Sequence, residues 1–262
     1  MSDVVYLYGF VPVGSTLQGV PDGVDDRPVE AVDAGATHAV VSRLPATEYS
    51  AEVLDTRMQD LDWVAQRGLA HERVVAWFVD HGEIVPAPLF TLFSTTDALV
   101  ADARARASVI EAALARFAGL REWDLKLAYR ADVLAQHASE VSGTVRALDE
   151  EIAEATPGRR FLLERKRADL VKREVARAAR RIADEVFDEL RHHVHDAVRL
   201  SLPQTATELP VVLSAALLAP RVAEADLVAR LQARAETLQP LGIELAFSGP
   251  WAAYRFMGGA HA

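Results

Sequence analysis

The stretch "RRFLLERKRADLVKREVARAARRIADEVFDEL", which runs from Arg159 to Leu190, decides the fold predicted for this chain. Its apolar residues recur mostly in steps of four, which is the spacing of one face of an α-helix. Each step of four advances about 40° beyond a full turn, so the apolar stripe winds slowly around the helix. We therefore predict one long helix from Arg159 to about Arg199, with one end on the local core and the other against a different surface.

The segments that flank the long helix predict a ferredoxin-like sandwich. Before it, "LREWDLKLAYR" starts after Gly119 and alternates apolar with polar residues, which indicates a strand, and a helical pattern follows from Asp132 to Ala155. After it, the patterns predict two strands, a helix and a final strand, over Ala197–Pro203, Leu209–Leu218, Glu224–Leu238 and Gly242–Gly249. This order of elements is that of a modified ferredoxin-like domain with an enlarged, long-helix crossover.

The first half of the chain predicts a separate domain. β-branched and aromatic residues from Val4 to Val11 indicate a strand, and two more strand patterns flank a turn at Ala34-Gly35. Helical patterns follow over Ser50–Arg67, over Ala70–Asp80 as a short helix or a helix-to-strand segment, and from Thr95 or Thr96 to about Phe117. The fold class is therefore α+β with two domains, residues 1–119 and residues 120–262, and this length is sufficient for two cores.

Charge is distributed unevenly along the chain. The net charge is −10; residues 1–119 hold 17 acidic residues and 8 arginines, whereas Arg159 to Arg181 hold 10 basic and 3 acidic residues. The net acidity argues against nucleic acid as a partner. An acidic half and a basic segment in one chain predict charge-matched contacts, within the protein or with a partner.

Composition excludes several other classes of protein. The chain has no cysteine, which excludes disulfides and thiolate metal sites. Its longest apolar runs are near ten residues, as in Val211 to Pro220, and a membrane span needs about 20. The N-terminus lacks the basic and small-residue features of a signal peptide. We therefore expect a cytoplasmic protein without a membrane partner.

The sequence offers little chemistry. Glycine-rich nucleotide loops and the nucleophile elbow are absent. In "DELRHHVHD", the residues Glu189, His192 and His195 lie three apart and would share a helical face suited to zinc or nickel. The alternative is a solvated helix end at which histidine complements the helix dipole. We predict the second, with no metal, no cofactor and no catalytic residues.

The basic part of the long helix is the candidate partner-binding surface. One interpretation is a solvated face that leans on the acidic half, and the other is a docking surface for an acidic protein or polymer. Nucleic acid is a weaker third candidate, because Phe161 is the only aromatic residue of the stretch from Arg159 to Arg181. The candidate residues are Arg159, Arg160, Arg165, Lys166, Arg167, Lys172 and Arg173.

The stretch "FSGPWAAYRF", from Phe247 to Phe256, concentrates aromatic residues next to the C-terminus. Chain ends seldom need such residues unless they are tied down. The stretch is either the lip of a ligand site or the closing piece of a core. We predict closure: Gly249-Pro250 turns the chain, and Trp251, Tyr254 and Phe256 fold back as a hydrophobic clasp.

Four stretches in order resemble the gas vesicle protein GvpF/GvpL family: "VVYLYGFV", "LREWDLKLAY", "PGRRFLLERKR" and "FSGPWAAYRF". They lie at both ends and in the middle, so the resemblance spans essentially the whole chain. The signature residues, which we expect to be structural, are Glu122, Trp123, Lys126, Pro157, Gly158, Gly249, Pro250, Trp251, Tyr254 and Phe256. Where the family usually has two prolines after Trp251, this chain has Ala252 and Ala253. The resemblance does not decide between F and L.

The resemblance implies an accessory or minor structural protein of gas vesicles, not an enzyme. Such proteins are expected to bind the hydrophobic shell protein GvpA and other accessory gas vesicle proteins during nucleation and assembly. The resemblance also implies an N-terminal α+β domain and a C-terminal modified ferredoxin-like domain. A small-molecule enzyme or sensor on a ferredoxin-like scaffold is the alternative, since that fold hosts many functions, and a helical adapter is a third. The oligomeric state does not follow from the sequence.

Overall fold

The computed structural model describes residues 3–202 and 209–257, and these form two compact units. The first unit contains the described residues up to Glu122 together with those from Pro250 onward, and the second runs from Trp123 to Gly249. The prediction places one boundary between the domains, at residues 119 and 120. In the structure the chain also returns from the second unit to the first at Gly249-Pro250. This return depends on packing against residues more than a hundred positions earlier, which periodicity does not reveal.

Nine strands and ten α-helices make up the described residues, with four short 3₁₀ turns. The strands are β1 (Asp3–Pro12), β2 (Glu30–Asp33), β3 (Thr37–Pro45), β4 (Val85–Pro86), β5 (Leu92–Phe93), β6 (Leu120–Tyr129), β7 (Asp196–Arg199), β8 (Val211–Pro220) and β9 (Ile243–Trp251). The helices are α1 (Ala46–Tyr49), α2 (Ala51–Arg57), α3 (Leu61–His81), α4 (Thr96–Ala105), α5 (Ala107–Phe117), α6 (Ala131–Gln136), α7 (Ala138–Val141), α8 (Gly143–Glu154), α9 (Pro157–Arg191) and α10 (Glu224–Leu238).

The first unit is built on an antiparallel sheet in the order β2-β3-β1-β4, with β5 also paired to β1. Buried residues of β1, such as Tyr6 and Tyr8, share a core cluster with Val74 and Phe78 of α3. Gly9 permits the close approach of β4, because a Cβ at this position would lie 2.5 Å from the carbonyl oxygen of Val85. The sheet and α3 thus form the core predicted for an α+β unit.

The second unit has the ferredoxin-like arrangement. Its sheet has the order β7-β8-β6-β9. The first and third strands of the motif, β6 and β8, lie in the centre, and the second and fourth, β7 and β9, lie at the edges, as the prediction requires. Leu125 and Leu127 of β6 and Leu217 of β8 pack with Val186 and Leu190 of α9 in one core cluster. The predicted α+β class and the long-helix crossover are confirmed.

The predicted C-terminal end of the long helix was wrong. The helix α9 ends at Arg191, eight residues before the predicted end, and Asp196–Arg199 pairs with β8 as strand β7. The backbone N–H of His195 donates to the carbonyl oxygen of Leu218, 2.8 Å away, so this segment takes its hydrogen bonds from the sheet. Pro203, the last residue of the strand predicted here, lies outside the described residues.

Several predicted helices are divided by caps that the apolar pattern did not show. The predicted helix from Asp132 to Ala155 is three helices, and the hydroxyl of Ser142 accepts from the Val145 N–H at the start of α8. Asp60 caps α3 in the same way at Trp63, so the pattern over Ser50–Arg67 also breaks. Residues 70–80, left open as a helix or a helix-to-strand segment, lie within α3.

Candidate partner-binding surface

The candidate basic residues of α9 separate into two groups in the structure. Arg159 pairs with Glu151 at 2.5 Å, and Arg160 donates to the carbonyl oxygen of Ala155 at 3.4 Å. Arg167 donates to Asp149 and to the hydroxyl of Ser139. These three arginines therefore fasten the N-terminal turns of α9 to the preceding segment.

The pair between Arg167 and Asp149 also affects titration. The hydrogen bond from the guanidinium group holds the pKa of the Asp149 carboxyl group below its ordinary value, and Ser139 adds to the effect. Both side chains are about one-third exposed, so solvent screens much of their attraction. The contact joins α8 to α9, and its contribution to stability is small.

The other four candidates have no such contacts. Among the described residues, Arg165, Lys166, Lys172 and Arg173 make no salt bridge or hydrogen bond through their side chains, and all four are exposed. Lys172 and Arg173 follow Arg165 and Lys166 by about two turns, so the four fall within about 120° around α9, on the side opposite buried Val171 and Val175. Unshared positive charge is thus concentrated on a single helical face.

Two large apolar side chains lie at the N-terminal end of the same face. Phe161 is 68% exposed and Leu162 is 66% exposed, whereas the next residue, Leu163, is buried. Exposed apolar groups rimmed by charge are typical of protein interaction sites. We name the set Phe161, Leu162, Arg165, Lys166, Lys172 and Arg173 the basic face.

Two of the family signature residues, Glu122 and Phe256, are buried in the first unit. Glu122 has none of its side chain exposed, and it accepts from the backbone N–H of Arg255 at 2.9 Å and from its guanidinium group at 2.6 Å. Phe256 is buried, as are Ala252, Ala253 and Met257 around it. The segment that begins at Pro250 therefore belongs to the core of the first unit, in agreement with closure as the role of "FSGPWAAYRF".

Tyr254 joins this segment to α3 through a chain of hydrogen bonds. Its hydroxyl donates to Glu72 at 2.8 Å and lies 3.3 Å from Nε2 of His71, whose Nδ1 is 2.8 Å from the hydroxyl of Tyr6. Because Tyr254 gives its single hydroxyl proton to Glu72, it can only accept from His71. The network therefore assigns the imidazole proton to Nε2 and leaves Nδ1 to accept from Tyr6. The residues Tyr6, His71 and Glu72 of this network were not predicted, since only Tyr254 carried a sequence signal.

Burial explains the titration of these groups. It lowers the pKa of His71 to about 4 and raises the pKa of Glu72, although the hydrogen bond from Tyr254 opposes the second shift. It also raises the pKa values of Tyr6 and Tyr254 far above the ordinary value for tyrosine. Shifts of this kind occur both in active sites and in buried structural networks. Here each polar group has a partner within the core, as a structural network requires.

The other signature residues lie in the second unit or at its ends. Pro157 occupies the first turn of α9, where its missing N–H costs nothing. The ring of Trp123 packs 6.4 Å from that of Phe247. Lys126 is exposed and lines a shallow groove with Asp124 and Ser248. The turn predicted at Gly249-Pro250 is wrong, because both residues lie within β9, which continues to Trp251. Gly249 has a φ of 148° inside this strand.

The three residues weighed as candidate metal ligands, Glu189, His192 and His195, do not share a helix. The helix ends at Arg191, so His192 and His195 lie beyond it, and Glu189 pairs with Arg234 at 3.4 Å. Over residues 3–202 and 209–257, the structure has no group of three metal-ligating side chains. No helix in those ranges is long and apolar enough to cross a membrane.

The fold defines the class: an α+β protein of two compact units, the second with the ferredoxin-like strand order. The chain belongs to the GvpL/GvpF family, because the family model described as "Gas vesicle synthesis protein GvpL/GvpF" matches residues 4–258. The resemblance seen in the four stretches is confirmed, and it connects the protein with gas vesicles.

Individual relatives agree with this membership. The chain is 29% identical to gas vesicle protein L2 of Halobacterium salinarum, over 98% of this chain and 92% of the relative. It is 26% identical to gas vesicle protein L of Streptomyces sp., over 97% and 92%. The crystal structure of GvpF from Anabaena sp. matches 98% of this chain and 96% of that one with a TM-score of 0.69 at 16% identity. The crystal structure of GvpF from Microcystis aeruginosa matches 97% and 98% with a TM-score of 0.66 at 18% identity.

Proposed function

We propose that this protein is an accessory or minor structural component of gas vesicles that binds the shell protein GvpA, and other accessory gas vesicle proteins, during nucleation and assembly. It acts within the cytoplasm at growing vesicles and without catalysis. Family membership supports the connection with gas vesicles. The observation that carries the binding role is the basic face, which combines unshared positive charge with exposed Phe161 and Leu162.

The physical reason for such a component is the apolar character expected of the shell protein. A hydrophobic subunit aggregates unless its surface is covered before it joins the shell. The two exposed apolar side chains of the basic face are suited to act as anchors, and the surrounding cations set orientation and raise the rate of encounter with an acidic partner. The network of His71 and Tyr254 supports a non-catalytic role, because its members are hydrogen-bonded to one another inside the core.

The test is capture of GvpA, carried on a solubilising fusion, by the purified protein and its variants. We expect the triple variant R165E/K166E/K172E to lose at least about tenfold in affinity, because it replaces attraction with repulsion across the face. The matched control is R27E/R104E/R230E, which changes the net charge equally at three exposed arginines outside the basic face. It should bind like the unmodified protein.

A second variant separates charge from apolar contact. F161S/L162S keeps every cation and removes both exposed apolar side chains, and we expect a loss of affinity of similar size. Undiminished binding by both variants would exclude the basic face as the contact. Undetectable binding by the unmodified protein would contradict the proposed function itself.

A further inference from the structure

A second exposed surface, on the first unit, has the opposite charge. Helices α2 and α3 and the turn between them carry Glu52, Asp55 and Asp62, all exposed and without a salt bridge in the described part of the chain. From Glu48 to Asp62 the sequence has 5 acidic residues and 1 basic residue, a net charge of −4. Unshared negative charge is therefore concentrated at this corner of the first unit.

Large apolar side chains are exposed at the same corner. Leu61 is 79% exposed and Leu69 is 69% exposed, and Met58 is exposed at the end of α2. Leu61, Asp62 and Leu69 fall within about 100° of one another around α3, so they share a side of the helix. We name the set Glu52, Asp55, Met58, Leu61, Asp62 and Leu69 the acidic patch.

The acidic patch and the basic face complement each other. Each combines two or more exposed apolar side chains with charges that no other described side chain pairs, and the charges have opposite signs. The basic face spans about 18 Å from Phe161 to Arg173, and Leu61 to Leu69 span about 12 Å, so both surfaces extend over at least two helical turns. Neither surface is covered by other residues of its own unit.

We propose that the acidic patch is the docking site for the basic face of a second copy of this chain. Phe161 and Leu162 of one copy would pack with Leu61 and Leu69 of the next, inside a rim of opposite charges. The contact joins two different surfaces, so it is heterologous and produces a closed ring of two or more copies or an open chain of copies. A symmetric contact between two basic faces is disfavoured because like charges would meet.

Self-association through these two surfaces is independent of the role of the protein in gas vesicles. The shell protein and a second copy would compete for the basic face, but each interaction is measured separately. The purified protein alone suffices to test self-association, so a failure here is distinguishable from a failure to bind GvpA.

The experiment measures molar mass by sedimentation velocity over a roughly hundredfold concentration range at about 0.02 M and about 0.5 M salt. The unmodified protein should associate beyond the monomer at low salt, and its association constant should fall at least about tenfold at high salt. The variants R165E/K166E/K172E and E52K/D55K/D62K should each be monomeric, because each confronts like charge with like charge. An equimolar mixture of the two should associate again, since every contact across the two variants pairs opposite charges.

The mixture also controls for misfolding, because a misfolded variant would not recover association with its complement. The control R27E/R104E/R230E should associate like the unmodified protein. A strictly monomeric protein at low salt would overturn the proposal, as would association that survives in either reversed variant alone. A mixture that stays monomeric would overturn the pairing of these two surfaces.

Discussion

Glu122 shows how a single residue links the sequence signature to the tertiary structure. Its carboxylate is fully buried, yet the residue lies at the start of β6, where the alternating pattern indicates only a strand. A buried carboxylate is tolerated when it is paired and hydrogen-bonded, and Arg255 supplies both contacts from a position 133 residues later. Glu122 therefore helps to identify the family from the sequence, but only the structure shows that its partner is Arg255.

Replacing Glu122 should destabilise the protein. Glu122→Ala leaves the backbone N–H and guanidinium group of Arg255 without their acceptor, so we expect the free energy of unfolding to fall by about 2 kcal/mol. Urea unfolding measures the change. The control is Lys126→Ala on the same strand, an exposed position where a change within about 0.5 kcal/mol is expected. Equal stability of the two variants would contradict the structural role of Glu122.

His71 predicts a specific dependence of stability on pH. Its folded-state pKa of about 4 lies below the ordinary value of 6.5, so the folded protein binds this proton less readily than the unfolded chain does. The stability that the neutral imidazole contributes is therefore full above pH 6.5 and is lost as the pH falls toward 4. The loss amounts to roughly 3 kcal/mol by linkage. Glu72 acts in the opposite direction, because its raised pKa favours the folded state as the pH falls.

The comparison of the unmodified protein with His71→Gln tests this dependence. Glutamine retains a donor and an acceptor but does not titrate, so the variant should lose less stability than the unmodified protein between pH 7 and pH 4.5. Urea unfolding at several pH values gives both curves. Parallel curves would show that His71 does not control the response.

At the scale of elements, α9 illustrates what periodicity predicts well and what it misses. The apolar residues from Leu163 to Leu190 predict the buried side of the helix correctly, because residues three and four apart lie on the same side of a helix. The end at Arg191 was missed because the next residues take their hydrogen bonds from β8. Helical breaks at Ser142 and Asp60 were missed for a related reason, since a cap interrupts a helix without interrupting its apolar spacing.

The C-terminal segment from Gly249 should be required for the stability of the first unit. A stop after Ser248 removes buried Phe256 and Met257 and the bonds of Tyr254 and Arg255, a combined loss of at least about 5 kcal/mol. That loss is comparable to the whole stability of a typical domain. We expect a strongly lowered melting temperature in calorimetry or circular dichroism.

A full-length variant separates packing from chain length. Phe256→Ala with Met257→Ala keeps the backbone and the bonds of Arg255, and it should lower the melting temperature by less than the truncation does. A truncated protein that melts at the original temperature but no longer binds its partner would instead identify the segment as a binding lip.

At the scale of the whole molecule, the structure shows which charges are paired and which are unshared. The sequence shows an acidic first half and a basic stretch, but it does not distinguish paired charges from unshared ones. The structure assigns Arg159, Arg160 and Arg167 to local contacts and leaves four cations exposed with Phe161 and Leu162. The candidate site therefore contains four of the seven predicted basic residues, together with Phe161 and Leu162, which a count of charges does not include.

The sequence by itself determined the α+β class, the ferredoxin-like order of the second unit, the long helix and membership of the GvpL/GvpF family. All of these features depend on local periodicity or on short motifs, which involve residues close together in the sequence. Only the tertiary structure decided where α9 ends, that the chain returns to its first unit at Pro250, that Tyr254 meets His71 and Glu72, and which cations remain unshared. Those features depend on contacts between residues far apart in the chain, and no pattern of neighbouring residues specifies which distant partner will satisfy a buried polar group or pair an exposed charge.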